Sequence, residues 1–413
     1  MNDWQSYTHF AGFDWASEHH DVTVVERHGV IVTCFRFEHT AAGWAQCREK
    51  LAPFGPLPVA IETSQGAAVH HLLALGLPVY PVNPKSAERY RERKAPSGVK
   101  DDQLDAWSLA DALRVDGHGW RQLHPEDPLV EELRLLCRDE SALIEQRTAL
   151  INQLRSALRE YYPAALEAFA DWTQASSWRF LLSFPTPGAL QKAGRRQWEK
   201  WLHAHRLWRP QTAEARLAIF ARATEFTGGV AQIAAKSLLA QSCARLLCTL
   251  QDQLDEYRRR IEELFDRHPD SGLFGSLPGV GPKLGPRLLS ELGEHRDRFA
   301  SAESLQAYAG TAPVTFQSGQ IRKVQLRRSC CHPLRAAIHL WANLSRATCA
   351  WAQAYYEAHR KKGQSHACAL RCLGQRWLKI LWKMWQTKTP YDEALHTRNQ
   401  TQHGSWVLHL NPS

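Results

Sequence analysis

The sequence predicts an α/β domain followed by a coiled-coil helical middle and a mostly helical C-terminal part, in a chain of 413 residues. Two observations support this fold class. Short apolar segments alternate with helical segments over residues 1–122, which is typical of an α/β domain. Beyond them, apolar residues recur every three or four positions, which is the spacing of amphipathic helices. At about 150 residues per domain, the length fits two or three domains.

Three apolar segments near the start are predicted to be strands, over 9–14, 21–26 and 30–37. The sequence Arg27-His28-Gly29 separates the last two, and Gly29 can supply the positive φ that a tight hairpin turn needs. A helix over 40–51 follows, with Thr40 as its N-cap.

Helices and strands then alternate. The segment 58–63 is a short apolar strand that ends close to Glu62. The remaining elements are predicted as a helix over 67–75, a strand over 78–82, a basic helix over 86–94, a loop at 95–98 and a helix over 102–114. The order β-β-β-α-β-α-β-α is the element order of the ribonuclease H fold.

The middle of the chain is predicted to hold two long helices with coiled-coil spacing, which could pair within one chain or between chains. Short helices are expected over 163–230, and further helices over 303–309, 333–359 and 366–386. The first apolar seam consists of Leu129, Leu133, Leu136, Leu143, Leu150, Leu154, Ala157 and Tyr161, and the second of Cys243, Leu247, Leu250, Leu254, Tyr257, Ile261 and Leu264.

Four carboxylates are placed where they can converge. Asp14 and Glu62 each stand at the end of a predicted strand, while Asp102 and Asp105 share one face of a helix because they are three residues apart. In a ribonuclease H fold these positions meet at one edge of the sheet. Clustered acids repel one another unless cations lie between them, and carboxylate oxygens suit Mg²⁺ or Mn²⁺. Alternatively, each acid is a solvated or capping residue, and Asp102 could be an N-cap.

Two C-terminal motifs could contact nucleic acid. The turn Gly279-Val280-Gly281, followed by Lys283, resembles a helix-hairpin-helix that holds a phosphate, although an ordinary tight turn explains it equally well. Ser318 precedes a run of cations that could neutralise a phosphate, so it is a candidate nucleophile or simply a loop serine beside a solvated basic run. The cations are Arg322, Lys323, Arg327 and Arg328. Cys and His residues at 330–332 and 366–372 could bind zinc, but the usual paired Cys spacing is missing.

Composition narrows the class of protein. The 51 Lys and Arg against 42 Asp and Glu give a net charge of +9, which favours a polyanionic partner such as nucleic acid. No apolar run approaches the length of a membrane helix, and no secretory signal opens the chain. The 10 cysteines are widely spaced, which is not typical of a disulfide scaffold. We therefore expect a cytoplasmic protein with reduced thiols and no membrane partner.

The motifs together resemble those of the IS110 family of insertion-sequence transposases, the DEDD transposases known as bridge-RNA-guided recombinases. The resemblance covers nearly the whole chain, in the order in which its motifs occur. The matching segments are Gly12-Phe13-Asp14, Ala60-Ile61-Glu62, the run 100–106, the run 277–281, the run 305–310 with Ala312-Pro313, Gln317-Ser318-Gly319, the region 355–363 and the run 389–392.

The resemblance implies a RuvC-like ribonuclease H domain over 1–122, a coiled-coil and helical region over 123–270, a C-terminal transposase domain over 271–400 and a tail over 401–413. It implies that the four acids bind Mg²⁺ or Mn²⁺ and that Ser318 becomes covalently joined to DNA. It also implies a dimer or tetramer that uses a non-coding bridge RNA to select donor and target DNA. Asp101 stands where the family usually has Thr or Ser, so Asp101 is an alternative ligand to Asp102.

Two other functions remain open from the sequence. A metal-dependent nuclease of the Holliday-junction type would use the acids alone and leave Ser318 incidental. A basic scaffold that binds RNA or DNA would use the acids only structurally. The segment 163–230 has no assigned role in any of these functions.

Overall fold

The computed structural model describes residues 4–94, 101–225 and 227–404. The predicted loop at 95–98, Lys100 of the acidic motif and the tail beyond 404 lie outside the described residues. The chain divides into two compact units, Met1–Pro125 and Glu126–Ser413.

The first unit is built on a mixed sheet of five described strands in the order β3-β2-β1-β4-β5. The first three strands are antiparallel neighbours, whereas β4 and β5 run parallel to β1. This arrangement confirms the predicted α/β class and its element order. The strands are β1 (His9–Trp15), β2 (His19–Glu26), β3 (Ile31–Glu38), β4 (Val59–Ile61) and β5 (Val79–Pro81).

Helices cover both faces of this sheet. Trp44 of α1 and Leu72 of α2 join one buried cluster with Phe13, while Leu109 of α4 joins a second cluster with Phe10. Thr40 caps the first helix as predicted, because its hydroxyl accepts a hydrogen bond from the Gly43 backbone N–H at 3.1 Å. The helices are α1 (Ala41–Leu51), α2 (Ala67–Ala74), α3 (Pro84–Lys94) and α4 (Asp102–Asp116).

One glycine sets the distance between α4 and the sheet. A Cβ atom added at Gly12 of β1 would lie only 1.9 Å from the carbonyl oxygen of Ala106 in α4. Only a residue without a side chain allows this approach. The start of α4, with Asp102 and Asp105, is therefore held close to the end of β1.

Two long helices organise the second unit, α5 (Pro128–Tyr161) and α10 (Val230–Arg267). The two helices pack on each other in antiparallel orientation, because residues later in α5 contact residues earlier in α10. The ion pair Glu132–Arg260, the hydrogen bond Arg147–Gln251 and the ion pair Glu160–Lys236 mark this order at 2.6, 2.8 and 3.0 Å. The predicted seams thus pair within one chain.

The second unit contains two hydrophobic cores. One lies at the end of the long helices where α5 finishes and α10 begins, and it includes Trp178, Phe180 and Leu217 from the short helices that join them. The other includes Leu264, Leu288 and Trp377 and belongs to the C-terminal helices. The joining helices are α6 (Pro163–Ala168), α7 (Ala175–Ser183), α8 (Pro187–Ala204) and α9 (Pro210–Ala221).

The C-terminal part is mostly helical, as predicted, and contains a two-stranded hairpin that the sequence analysis did not anticipate. Its helices are α11 (Ser271–Gly275), α12 (Gly281–Leu292), α13 (Ala302–Tyr308), α14 (His332–Thr348), α15 (Ala350–Lys361), α16 (His366–Thr387) and α17 (Glu393–Gln402). The hairpin consists of β6 (Val314–Ser318) and β7 (Ile321–Gln325).

The single helix predicted over 333–359 is wrong in one respect, because the chain breaks at Cys349. This residue has extended backbone angles, φ −138° and ψ 111°, and only 2% of it is exposed. The break turns α15 so that both α14 and α15 pack against α16. In the described residues, no helix combines the length and apolar character that crossing a membrane requires. All ten cysteines are in the described ranges, and none forms a disulfide.

Candidate functional site

The four predicted acids lie together in a cleft of about 530 Å³ in the first unit. Asp14 is near the end of β1, and Glu62 directly follows β4. The parallel register pairs Phe13 with Ile61, so these two acids occupy equivalent places on neighbouring strands. Asp102 and Asp105 enter the same cleft from the first turn of α4.

Asp101 does not line this cleft. It is the N-cap of α4, and its carboxylate accepts a hydrogen bond from the Gln103 backbone N–H at 3.3 Å. A carboxylate is favourable there because the first N–H groups of a helix lack partners within the helix. The alternative that made Asp102 the capping residue is therefore wrong, and Asp102 is the residue of this pair that faces the other acids.

The surroundings of Asp14 raise its pKa. Burial raises the pKa of Asp14 to about 7, and the negative charges of Asp105, Asp102, Asp21 and Glu62 add to this effect. A carboxyl group that resists ionisation at neutral pH indicates a site that favours added positive charge. The donor set consists of carboxylate oxygens, which fits Mg²⁺ or Mn²⁺ as the bound ion.

A fifth acid, Asp21, belongs to the cleft and was missed by the sequence analysis. It is directly opposite Asp14 in the β1–β2 register, and its side chain is only 3% exposed. Arg36 on β3 faces Asp21 across the next strand pair and bonds its carboxylate through two nitrogens, at 2.8 and 3.1 Å. Its Nη2 atom also donates to Asp102 at 2.9 Å.

A second arginine on the cleft wall, Arg91 of α3, was also missed. Its Nη1 atom donates to both oxygens of Asp105, at 3.0 and 3.2 Å. His19 lies near the other α4 acid, with Nε2 3.8 Å from the Asp102 carboxylate. Among the described residues, His19, Asp21 and Asp102 form the only group of three His, Cys, Asp or Glu side chains whose ligand atoms all lie within 4.8 Å. The Cys and His residues at 330–332 and 366–372 form no such group.

Ser318 lies in the second unit, at the tip of the hairpin. It ends β6 and pairs with Ile321 across the two-residue turn Gly319-Gln320, where Gly319 has φ +56°. Both strands are largely exposed, including Phe316 at 56% and Ile321 at 61%. Ser318 is therefore on an exposed element of the second unit.

The hairpin register places two of the predicted cations on opposite faces of the hairpin. Lys323 pairs with Phe316 and shares a face with Ser318, whereas Arg322 pairs with Gln317 on the opposite face. Arg327 lies at the base, with Nε donating to the carbonyl of Ala312 at 3.4 Å. The exposed Arg328 follows it. The structure thus brings Lys323 to the serine's face and does not bring Arg322 there.

The two glycines of the turn at 279–281 have different surroundings. Gly279 and Gly281 both have positive φ, +76° and +57°, and α12 begins at Gly281. A Cβ atom at Gly279 would be 2.8 Å from the backbone nitrogen of Ser345, so this glycine is required for packing against α14. Gly281 has open space around it, and Lys283 is exposed. Gly281 and Lys283 are thus exposed at the helix start, while Gly279 is half-buried against α14.

A basic cleft of about 700 Å³ lies beside the base of the hairpin, where Leu326 forms part of its wall. Two of its arginines are already paired, Arg138 with Glu291 and Arg287 with Glu140. Arg335 and Arg371 add positive charge, and together with burial they lower the pKa of His339. No local sequence pattern marks this cleft, because α5, α12, α14 and α16 all contribute to its lining.

Two family models match this chain. Residues 11–163 match a family model described as a transposase, the DEDD domain of IS110 transposases. Residues 271–357 match a second model, described as a transposase of the IS116/IS110/IS902 family.

Related proteins span most of the chain. A Streptomyces coelicolor protein named "Mini-circle putative transposase for IS117" is 36% identical over 406 residues, covering 94% of this chain and 96% of its own length. An IS900 protein of Mycobacterium paratuberculosis, "uncharacterized 42 kDa protein", is 30% identical and covers 72% of this chain and 74% of its own length. The two family matches and the near full-length similarity lead to one conclusion: the chain belongs to the IS110 family of transposases.

Proposed function

We propose that this transposase cuts and rejoins DNA strands with a metal-binding acidic site and a serine nucleophile. The observation that carries the proposal is the convergence of Asp14, Glu62, Asp102 and Asp105 on one cleft, where the pKa of Asp14 is raised to about 7. The shared cleft and the raised pKa of Asp14 favour a metal site over four independent solvated or capping acids.

The acids would hold divalent metal ions. When bound, such ions stabilise the negative charge that develops on a phosphate during strand transfer. Asp14 and Glu62 are fixed by the sheet, and Asp102 and Asp105 by the first turn of α4, so the four carboxylates present a preformed oxygen surface. Mg²⁺ and Mn²⁺ both suit this donor set.

Ser318 would act as the nucleophile. Its Oγ atom would form a bond to phosphorus while the bond from phosphorus to a deoxyribose oxygen breaks, and the leaving hydroxyl would take up a proton as the serine loses one. The DNA strand would remain attached to the protein as a phosphodiester, so that a second hydroxyl could reverse the step and rejoin the strands without a separate energy source.

Cations around the serine support this role. Lys323 shares its face of the hairpin, and the cleft with Arg335 and Arg371 lies beside the hairpin base. These side chains would bind backbone phosphates of donor and target DNA. The net charge of +9 also suits a second polyanion, and by family resemblance this is a non-coding bridge RNA that selects the two DNAs in a dimer or tetramer.

The decisive experiment traps the covalent intermediate. Purified protein, its guide RNA and labelled DNA are incubated with Mg²⁺ and separated on a denaturing gel. Wild type should give a protein–DNA adduct, and Ser318→Ala should give none. Thr315→Val is the matched control, because Thr315 is an exposed hydroxyl residue on the same strand.

The alternatives predict other results. A nuclease that uses the acids alone would keep cleaving after Ser318→Ala, and a scaffold would give no product that depends on Mg²⁺. An adduct formed by Ser318→Ala would disprove the serine mechanism. Sequencing of RNA that copurifies with the protein tests the guide, since a structured RNA encoded beside the gene is expected.

A further inference from the structure

We propose that Arg36 and Arg91 are placeholder cations, which neutralise the two α4 acids in the metal-free protein and release them when a divalent metal binds. The inference rests on the metal site of the proposed function and concerns residues outside its four acids. Each arginine would keep a second acid as its anchor, Asp21 for Arg36 and Glu88 for Arg91.

Arg36 is anchored away from the predicted ligands. Its guanidinium forms hydrogen bonds at 2.8 and 3.1 Å to one oxygen of Asp21, a side chain that is only 3% exposed. One of the same nitrogens, Nη2, reaches Asp102 at 2.9 Å, and that acid is 46% exposed. Breaking the contact to exposed Asp102 therefore costs less than breaking the contact to buried Asp21, because a buried charge must keep its partner.

Arg91 pairs with the other α4 acid, Asp105, whose side chain is 15% exposed. It donates to both oxygens of Asp105, at 3.0 and 3.2 Å. Glu88, one turn earlier on α3, and Glu62 also attract its charge. An arginine that moves away from Asp105 thus still has Glu88 on its own helix within its field.

Competition follows from these contacts. The Nη2 atom of Arg36 occupies one oxygen of Asp102, so a metal ion must displace this arginine before it can bind both oxygens freely. The arginine keeps a repulsive cluster folded without metal and weakens metal binding for the same reason.

The experiment measures metal binding without nucleic acid. Mn²⁺ is titrated into the full-length protein at pH 7.5 and low salt, followed by calorimetry and by the unfolding temperature. Wild type is compared with Arg36→Gln, Arg36→Lys and Arg91→Gln. Arg48→Gln is the control, because it removes the same charge from an exposed position on α1.

We expect Arg36→Gln to bind Mn²⁺ about fivefold more tightly than wild type, as the loss of one partly exposed competing ion pair allows. Its metal-free unfolding temperature should fall, so that its rise on adding Mn²⁺ is larger. The Mn²⁺ affinity of Arg36→Lys should be intermediate, since a single ammonium group replaces the guanidinium that bridges Asp21 and Asp102. Arg91→Gln should also bind more tightly, and Arg48→Gln should match wild type.

Two results would overturn the inference in different ways. Equal or weaker Mn²⁺ binding by both Arg36→Gln and Arg91→Gln, with wild type binding normally, would show that the arginines do not compete with the metal. No Mn²⁺ binding by wild type would remove the metal site of the proposed function, and the inference would fail with it. Because Arg36→Lys keeps the positive charge beside Asp21, it gives a folded test if Arg36→Gln does not fold.

Discussion

Replacing Asp14 by Asn should stabilise the metal-free protein at pH 8. The pKa of Asp14 is raised from 3.8 to about 7 in the folded state, so the folded protein binds this proton more tightly than the unfolded chain does. Stability from this group is fully present below pH 3.8 and is lost as the pH rises through about 7. Above pH 7, ionised Asp14 opposes folding.

The expected stabilisation follows from the difference between the folded and unfolded pKa of Asp14. About three pH units at 1.36 kcal/mol each give an upper limit of about 4 kcal/mol. Asp14 is only partly buried, so solvent screening reduces this, and we expect about 2 kcal/mol. Asn has nearly the same shape and no charge, so the variant should recover this energy. For a domain of this size, that is a rise of several degrees in unfolding temperature.

Thermal unfolding followed by circular dichroism at several pH values, with EDTA present, measures the effect. The gain of Asp14→Asn over wild type should be largest at pH 8 and should vanish near pH 4. Added Mg²⁺ should stabilise wild type more than the variant. Glu49→Gln, which removes an exposed acid of α1, is the control. An Asp14→Asn protein less stable than wild type at pH 8 would refute the reasoning about the acidic cluster.

Three further predictions concern other parts of the molecule. Burial, with nearby histidines, lowers the pKa of His20 from 6.5 to about 4, so its contribution to stability, about 3 kcal/mol, should be lost as the pH falls through that window. Because Asp14 has the opposite effect over the same pH range, urea unfolding should be measured in the Asp14→Asn background. If a further His20→Gln substitution leaves the pH dependence of the free energy of unfolding unchanged, the prediction is contradicted. Glu140→Ala should lower the free energy of unfolding by about 3–5 kcal/mol, because it leaves Arg258 and Arg287 without their buried partner; a decrease below about 1 kcal/mol in chemical denaturation would argue against this. Replacing Arg322, Lys323, Arg327 and Arg328 by Ala should flatten the salt dependence of DNA binding, at about 0.9 in log K against log salt for each phosphate that is no longer neutralised, and an unchanged slope in fluorescence anisotropy would mean that these residues do not touch DNA.

The sequence was sufficient to predict the four clustered acids, because strand ends and helix periodicity are local signals. It was not sufficient to predict Arg36 as the partner of Asp21. The β2–β3 register shifts at Val24 and Val25, and this irregularity decides whether Asp21 faces Arg36 or its neighbour Phe35. Nothing local to these residues marks the shift.

The hairpin that carries Ser318 was missed for a different reason. Its strands expose both faces, so no clear alternation of buried and exposed residues identifies them. The available signal was Gly319 between two segments rich in β-branched and aromatic residues, such as Phe316 and Val324.

The buried contacts of Glu140 have a consequence for how this protein can change in length. Glu140 on α5 accepts hydrogen bonds from Arg258 on α10 and from Arg287 on α12. These contacts fix the rotation of the two long helices about their axes near the C-terminal helices. The distant core around Trp178 lies at their other end. Seven residues added to each helix would carry that core outward with about 20° of rotation, whereas five added to each would turn it by about 140°. Relatives or designs with a longer arm should therefore differ by lengths close to whole helical turns, such as seven residues.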